Sequence, residues 1–486
     1  MNKYFTQILL LFFVCYGWPN AGTAQKEAAG LIPAQGFTFF AAKDSSVYVR
    51  FLGLMQFWTR SINANPGTVY KNQPVTNYTD FTIRRLVAVS LFQLHPQLLF
   101  VTGLGSTSNA SSSALQPNLN LGFADAYGEY KFSNKFYLGA GLHQWTGFSR
   151  LNLEAIGTMV NLDIPKFQFP FINQLDRNNR MLGVYIKGEL GRFDYRLSLN
   201  DPFIPTFSTA AANTGNGSPA GSSLNAPAGN AQTKVAYFNP SAKSKLLQGY
   251  YKWQFLDKES HKIPYETGNY LGLKRVFSLG AGFAFRKKGM LVPATIEALN
   301  PTMPTSATNP LLLKSADSKD IFCFAVDAFL AYRFSAKSDG INIYTGYFYT
   351  NLGDNFYTVS GTNQTVSAMS NLTSINGPGT AIPAAGTGNT FYCLTGYLLP
   401  KGFLNQATRW GLFATYQHSR FEALQDPVQL YELGVNWLIT GNGLKLTAQY
   451  RNRPIFQGAS AFGDNASTAR ETSRKGELAL QMQLNF

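Results

Sequence analysis

The end of the chain constrains the fold most tightly. From Glu477 to Phe486, Leu478, Leu480, Met482, Leu484 and Phe486 share one phase, while Ala479, Gln481, Gln483 and Asn485 share the other. Successive side chains of a strand point to opposite faces, so a period of two with one apolar side marks a strand between an apolar and a wet environment. The pattern recurs upstream. Phe193, Tyr195, Leu197 and Leu199 oppose Asp194, Arg196, Ser198 and Asn200, and Leu247, Gly249, Tyr251, Trp253 and Phe255 oppose Gln248, Tyr250, Lys252 and Gln254. Tyr431, Leu433, Val435, Trp437 and Ile439 oppose Glu432, Gly434 and Asn436, and Leu444, Leu446, Ala448 and Tyr450 oppose Lys445, Thr447, Gln449 and Arg451.

Such strands fit either a sandwich or a closed barrel, and composition separates the two. Aromatic residues reach 14% and charged residues only 14%, yet mean hydropathy is −0.10. Helical spans would drive hydropathy well above zero, whereas a barrel with lipid-facing and lumen-facing residues in alternation averages out. The closing Phe486 resembles the terminal aromatic that serves outer-membrane barrels as an assembly signal. At the other end, Lys3, the apolar run Phe5–Trp18 and the small residues Ala21-Gly22-Thr23-Ala24 read as a secretory signal peptide over 1–24. That run falls short of the roughly 20 residues a helical span needs.

Candidate strands lie near 47–59, 81–93, 97–105, 123–132, 136–145, 180–189, 192–200, 245–255, 274–285, 321–334, 341–350, 390–399, 409–418, 428–440, 444–452 and 476–486. Their connections alternate in length, as short periplasmic turns and long external loops should. Leu94-His95-Pro96, Ser133-Asn134-Lys135, Leu190-Gly191 and Gly441-Asn442-Gly443 are short, whereas Thr146–Asn179, Asp201–Ser244 and Asn351–Asn389 are long and rich in small and polar residues. Leu256–Gly272 is long for a turn and Arg420–Pro427 short for a loop. The expectation is an all-β transmembrane antiparallel barrel of about sixteen strands over 46–486. A periplasmic segment over 25–45 precedes it, with Phe37, Phe39 and Phe40 as a small candidate hatch.

Two arginines, Arg84-Arg85, stand on the second strand, Phe123-Ala124-Asp125-Ala126-Tyr127 on the fourth and Leu138-Gly139-Ala140-Gly141-Leu142 on the fifth. Asp176-Arg177 and Gly183 frame the sixth. In these features, over roughly 47–200, the chain resembles the phosphate-selective porin O and P family. The resemblance implies a sixteen-stranded, trimeric barrel that conducts anions across the outer membrane of a Gram-negative bacterium. In trimeric porins the third external loop folds into the barrel and narrows it. Here that loop, about 146–179, carries Arg150, Lys166 and Arg177 rather than a dense arginine ladder, with Phe167, Phe169 and Phe171 between them.

An anion filter needs cations on the lumen wall. The phase of the strands turns Arg50, Arg84, Lys187, Arg192, Arg196, Lys252 and Lys445 inward beside Asp125, Glu129, Asp194, Asp327, Glu432 and Glu477. The proposed pore-lining, anion-binding set is Arg50, Arg84, Arg150, Arg177, Arg180, Lys187 and Arg196. Arg85 falls on the lipid phase, where an arginine at mid-membrane would cost about 2–4 kcal/mol. The pairs Phe57-Trp58, Phe348-Tyr349 and Phe391-Tyr392 suit interfacial girdles.

The formal charge of +15 is dispersed, which suits contact with anionic lipopolysaccharide and small anions rather than nucleic acid. His95, His143, His261 and His418 make no spacing pattern with Cys323 and Cys393, and no nucleophile motif accompanies them, so neither enzyme, cofactor nor metal centre is expected. The reading is a porin for passive diffusion of small hydrophilic solutes, with modest anion preference and a homotrimeric state. A non-conducting structural or secretion-associated barrel and a channel for hydrophobic compounds are the alternatives.

Overall fold

The computed structural model describes residues 36–106, 110–111, 122–168, 170, 180–202, 236–239, 241–293, 316–335, 338–360, 366–368, 374–404, 407–457 and 469–486. The signal-peptide segment and Arg177, Phe169 and Phe171 lie outside them. The chain closes into a 16-stranded antiparallel barrel. Its strands are β1 (Tyr48–Asn63), β2 (Asn77–His95), β3 (Leu98–Ser106), β4 (Gly122–Ser133), β5 (Phe136–His143), β6 (Met181–Leu190), β7 (Phe193–Asn200) and β8 (Leu246–Gln254). They continue as β9 (Val276–Pro293), β10 (Ala316–Arg333), β11 (Gly340–Asn351), β12 (Gly388–Leu398), β13 (Arg409–Phe421), β14 (Val428–Leu438), β15 (Leu444–Gln457) and β16 (Arg470–Asn485). Each strand pairs with its neighbours in sequence, and β16 closes the ring against β1 from Leu54↔Asn485 to Ile62↔Glu477.

The two faces have opposite chemistry. On β16, Leu478, Leu480, Met482 and Leu484 are 42–49% exposed, while Ala479, Gln481 and Gln483 are buried. Leu433 and Tyr431 on β14 and Leu199 on β7 likewise face outward, while Glu432, Asn436, Asp194, Arg196 and Ser198 face the interior. A ring of strands leaves no unpaired edge, and an apolar skin around it removes no polar group from water. The molecule is therefore a membrane-spanning barrel of the outer-membrane type.

Arg85 does not face lipid. Gln56 pairs with Arg85 but Phe57 pairs with Ile83, so β2 carries one extra residue there. Such a bulge breaks the alternation and turns two consecutive side chains to one side. Arg84 and Arg85 are both buried in the lumen. The girdle pairs also divide, because neighbours on a strand cannot share a face. Phe391 is outward and Tyr392 buried inward, Phe348 is inward, and Trp58 is inward with its indole donating to Gln481 Oε1 at 2.7 Å. Trp410 and Trp437 stack at 5.5 Å across β13 and β14.

The segment Phe37–Phe40 is no hatch in the lumen. It pairs with β1 from Phe37↔Phe51 to Phe40↔Tyr48, beyond the end of β16, and its three phenylalanines are 56–60% exposed. Phe37 meets the ring of Phe486 at 5.7 Å, so this segment and the residue that follows β16 join in one aromatic contact at the turn end of the barrel.

Candidate functional site in the lumen

Two segments enter the barrel from opposite ends and meet inside it. From the loop end comes the third external loop, whose residues Trp145, Phe148, Leu151, Leu153, Met159, Val160, Leu162, Ile164 and Phe167 are buried. It turns at Gly147, whose φ of +91° suits a residue without a Cβ. Asn152 Oδ1 then accepts from the backbone N–H groups of Phe148 and Ser149, both at 3.0 Å, and fixes the short helical turn Arg150–Leu153. Phe148 and Phe167 pack on Phe348 of the wall.

From the turn end comes residues 255–275, the long connection between β8 and β9. Glu259, Glu266, Asn269 and Tyr270 within it are buried. The two segments bond through their backbones: Ala155 N–H donates to Glu266 O and Glu266 N–H to Leu153 O, each at 2.7 Å. Gly268 N–H donates to Thr158 Oγ1 at 3.0 Å.

Charge locks this junction. Arg150 grips Glu259 with both terminal nitrogens, at 2.6 and 2.7 Å, reaches Glu266 at 3.0 Å, donates to Thr267 O and lies over the Phe329 ring at 3.7 Å. Lys252 of β8 reaches Glu266 at 2.7 Å and Glu259 at 3.1 Å, and Arg196 of β7 adds a contact to Glu266 at 3.1 Å. Burial alone would lower the Arg150 pKa, but Glu259 and Glu266 outweigh it and hold the guanidinium charged. Burial raises Glu266, whereas Lys252, Arg150 and Arg196 pull it down to about 2.

A second cluster holds the far end of the loop. Asp163 accepts from Arg84 at 3.0 Å through both oxygens, from Arg85 at 2.5 Å and from Lys166 at 2.9 Å. Burial opposes ionisation there, but Arg84, Lys166 and Arg85 hold the carboxyl well below its usual range. Arg85 also donates to Gln56 Oε1 at 2.8 Å, and the Arg84 guanidinium lies 5.2 Å from the Trp58 ring centre.

The structure thus distributes the sequence-derived cations over separate partners. Arg150 and Arg196 share Glu266; Arg84 meets Asp163; Arg180 pairs with Asp125 at 3.0 Å; Lys187 pairs with Glu129 at 2.9 Å and lies 3.8 Å from the Trp145 ring centre. Arg50 stands apart near the turn end, half-buried, bonded to Thr38 Oγ1 at 2.9 Å. Arg192, expected inward, is exposed on the rim and donates to the carbonyls of Gln254 and Leu256 at 2.9 Å. The inward polar face therefore meets protein along much of its described length, where a water-filled lumen was expected.

Sequence phase missed the acids that matter most. Asp163, Glu259 and Glu266 lie on connections, where strand periodicity says nothing; the signal for the latter two was the excess length of Leu256–Gly272. Arg451, which strand phase already placed on the wet face of β15, was left out of the lumen cations, and Arg453 fell beyond the expected strand. With Lys166, Asp163, Glu432, Tyr392, Thr415 and Gln417 they border a cavity beside the loop. Its open space is about 30 Å³, room for one or two waters. Arg451 pairs with Glu432 at 2.6 Å, whereas Arg453 donates to neutral oxygens of Asn63, Asn65, Gly379 and Gly476.

No protein-family description matches the chain, and no curated protein does. Solved structures do resemble it. The outer membrane channel DcaP of Acinetobacter baumannii shares 11% identity over 93% of this chain and 100% of its own, with a TM-score of 0.47. OmpF of Salmonella typhi, in complex with daunomycin, shares 8% over 92% and 99%, with a TM-score of 0.47. OprB of Pseudomonas putida, in its high-pH structure, shares 9% over 90% and 94%, with a TM-score of 0.45. None of these likenesses carries a function across to this chain.

Proposed function

We propose that the protein is an outer-membrane channel for small hydrophilic solutes, with a modest preference for anions. One observation carries this reading: the barrel is apolar outside and charged inside, and its interior is narrowed by loops rather than by the wall. A wall closed by loops is a passage whose width loop movement can change. The anion preference rests on the cavity region, where Arg84, Arg85, Lys166, Arg451 and Arg453 outnumber Asp163, Glu432 and Glu477. A surplus of fixed positive charge raises the local concentration of anions. Phosphate has no special claim among them, since Arg150 and Lys166 are both committed to carboxylates. The resemblance to phosphate-selective porins extends the proposal to a homotrimer in contact with lipopolysaccharide, which cross-linking in native membranes tests.

A second reading is favoured by the packing of the lumen: a barrel that does not conduct and serves as a structural subunit. Conductance of the refolded full chain in a planar bilayer, with the reversal potential under a salt gradient, separates the two. Steady or flickering conductance with an anion-selective potential supports the channel. Inserted but silent protein supports the structural barrel, and a cation-selective pore removes the anion preference while keeping the channel.

A further inference from the structure

The turn end of the barrel holds a group of side chains that the lumen clusters do not use. Glu189 of β6 and Asp194 of β7 are direct cross-strand partners on either side of the turn at Gly191-Arg192. Like charges opposite one another destabilise a hairpin unless something lies between them. His261, from the inward segment 255–275, is placed against this pair, with Nδ1 2.7 Å from Asp194 Oδ2. One ligand atom from each of the three residues lies within 4.8 Å of the others. The side chains of His261 and Asp194 are only 8% and 4% exposed. Each member of the trio keeps a buried atom with no hydrogen-bond partner: Glu189 Oε1, Asp194 Oδ1 and His261 Nε2.

The nearest ammonium groups are occupied elsewhere. Lys187 is bound to Glu129 at 2.9 Å and donates to the carbonyls of His261 and Lys262, and Lys252 is bound to Glu259 and Glu266. Neither is bonded to the orphan atoms. Trp145 and Tyr137 flank the imidazole at 5.7 and 5.8 Å between ring centres. They leave the ring little freedom to turn away.

We propose that Glu189, Asp194 and His261 form a binding site for a divalent transition metal, zinc by its donor set. The site would pin segment 255–275 to the turn between β6 and β7. One imidazole and two carboxylates are a borderline set that suits zinc, with a fourth position for water. Calcium and magnesium prefer six or more oxygen ligands and fit poorly here. Donors around a tetrahedral zinc stand roughly 3.4 Å apart given bonds near 2.0–2.1 Å, so closing the site takes small side-chain rotations rather than backbone movement. The sequence carries no spacing motif because two ligands flank a hairpin turn and the third arrives from another connection.

The test uses the refolded, untagged full chain, stripped with chelator and titrated with zinc against a chromophoric competitor, and with cobalt followed by its visible absorption. One equivalent bound in the wild type, lost in His261→Ala and weakened by more than about tenfold in Glu189→Gln, supports the site. Zinc should also slow tryptic cleavage at the exposed Lys258 and Lys262. Glu189→Gln lies on the rim, so it reports even where His261→Ala does not refold. Absence of stoichiometric binding to the wild type, or unchanged affinity in both variants, overturns the proposal. Neither result depends on whether the barrel conducts.

Discussion

Glu154 sits where the two inward segments meet, and its burial predicts that their docking depends on pH. It bridges to Glu266 across the junction, it is 8% exposed, and its Oε2 has no hydrogen-bond partner. Burial pushes its pKa up to about 7, against the opposing pull of Arg150 and Lys445; the Tyr392 phenol lies on the same side. A carboxyl with a raised pKa is held protonated by the docked state. Its docked form is thus most stable below the ordinary value of 4.5, and that advantage is lost as pH rises through about 7. The gap between these values corresponds to about 3 kcal/mol, a factor of a few hundred in the docking equilibrium. Peptide-resolved hydrogen exchange of residues 144–168, corrected for the chemical rate, reads this directly. Between pH 5.5 and pH 8.5, amides of the wild-type loop should lose protection by about 30-fold, or about 2 kcal/mol, because at pH 5.5 part of the full effect is already gone. Glu154→Gln, neutral throughout and of the same shape, should keep the low-pH protection at both ends. A variant that retains the wild-type pH dependence, or a wild type with none, would refute the assignment.

Other perturbations separate charge from packing. Asp163→Asn leaves Arg84, Arg85 and Lys166 without their shared carboxylate; breaking such a buried set costs about 3–5 kcal/mol. The loop should exchange faster at every pH while the far-ultraviolet circular dichroism of the barrel is unchanged. Gly282 of β9 lies directly under the loop, and a Cβ there would collide with the carbonyl of Phe148 in the loop and with that of Gly249 on β8. Gly282→Val should therefore loosen the loop without altering any charge, by about 1–3 kcal/mol, read by the same exchange measurement. Arg453→Gln removes a lumen cation bonded to neutral oxygens, and the reversal potential should move toward the cation side. An unchanged potential would place the selectivity elsewhere.

What could be read in the sequence follows from what fixes a strand's phase. Leu478, Leu480, Met482 and Leu484 face lipid because lipid lies along the whole strand, and that environment writes itself into every second residue. Arg85 broke the pattern, and its cost on the lipid side was the only sign of the bulge that carries it inward. Nothing in Ile83-Arg84-Arg85-Leu86 marks the extra residue locally. The contents of the lumen were not legible in the same way, because Arg84 finds Asp163 and Arg150 finds Glu259 across distances in sequence that periodicity does not connect.

This changes how inward cations should be counted. Phase supplies a set of basic residues pointing into the lumen, and a filter was expected from their number. A cation bonded to a buried carboxylate contributes little net field to a passing ion, whatever its orientation. Arg150, Arg196, Lys187 and Arg180 are paired in this way, so their effect is to hold the inward segments in place. On the proposed channel reading, selectivity would fall to charge left in excess, around Asp163 and at Arg453. Neutralising Arg196 should then loosen the junction and leave the reversal potential nearly unmoved, whereas neutralising Arg453 should do the reverse. Combining the two substitutions in one chain should give additive effects on the two readouts, because the sites share no partner.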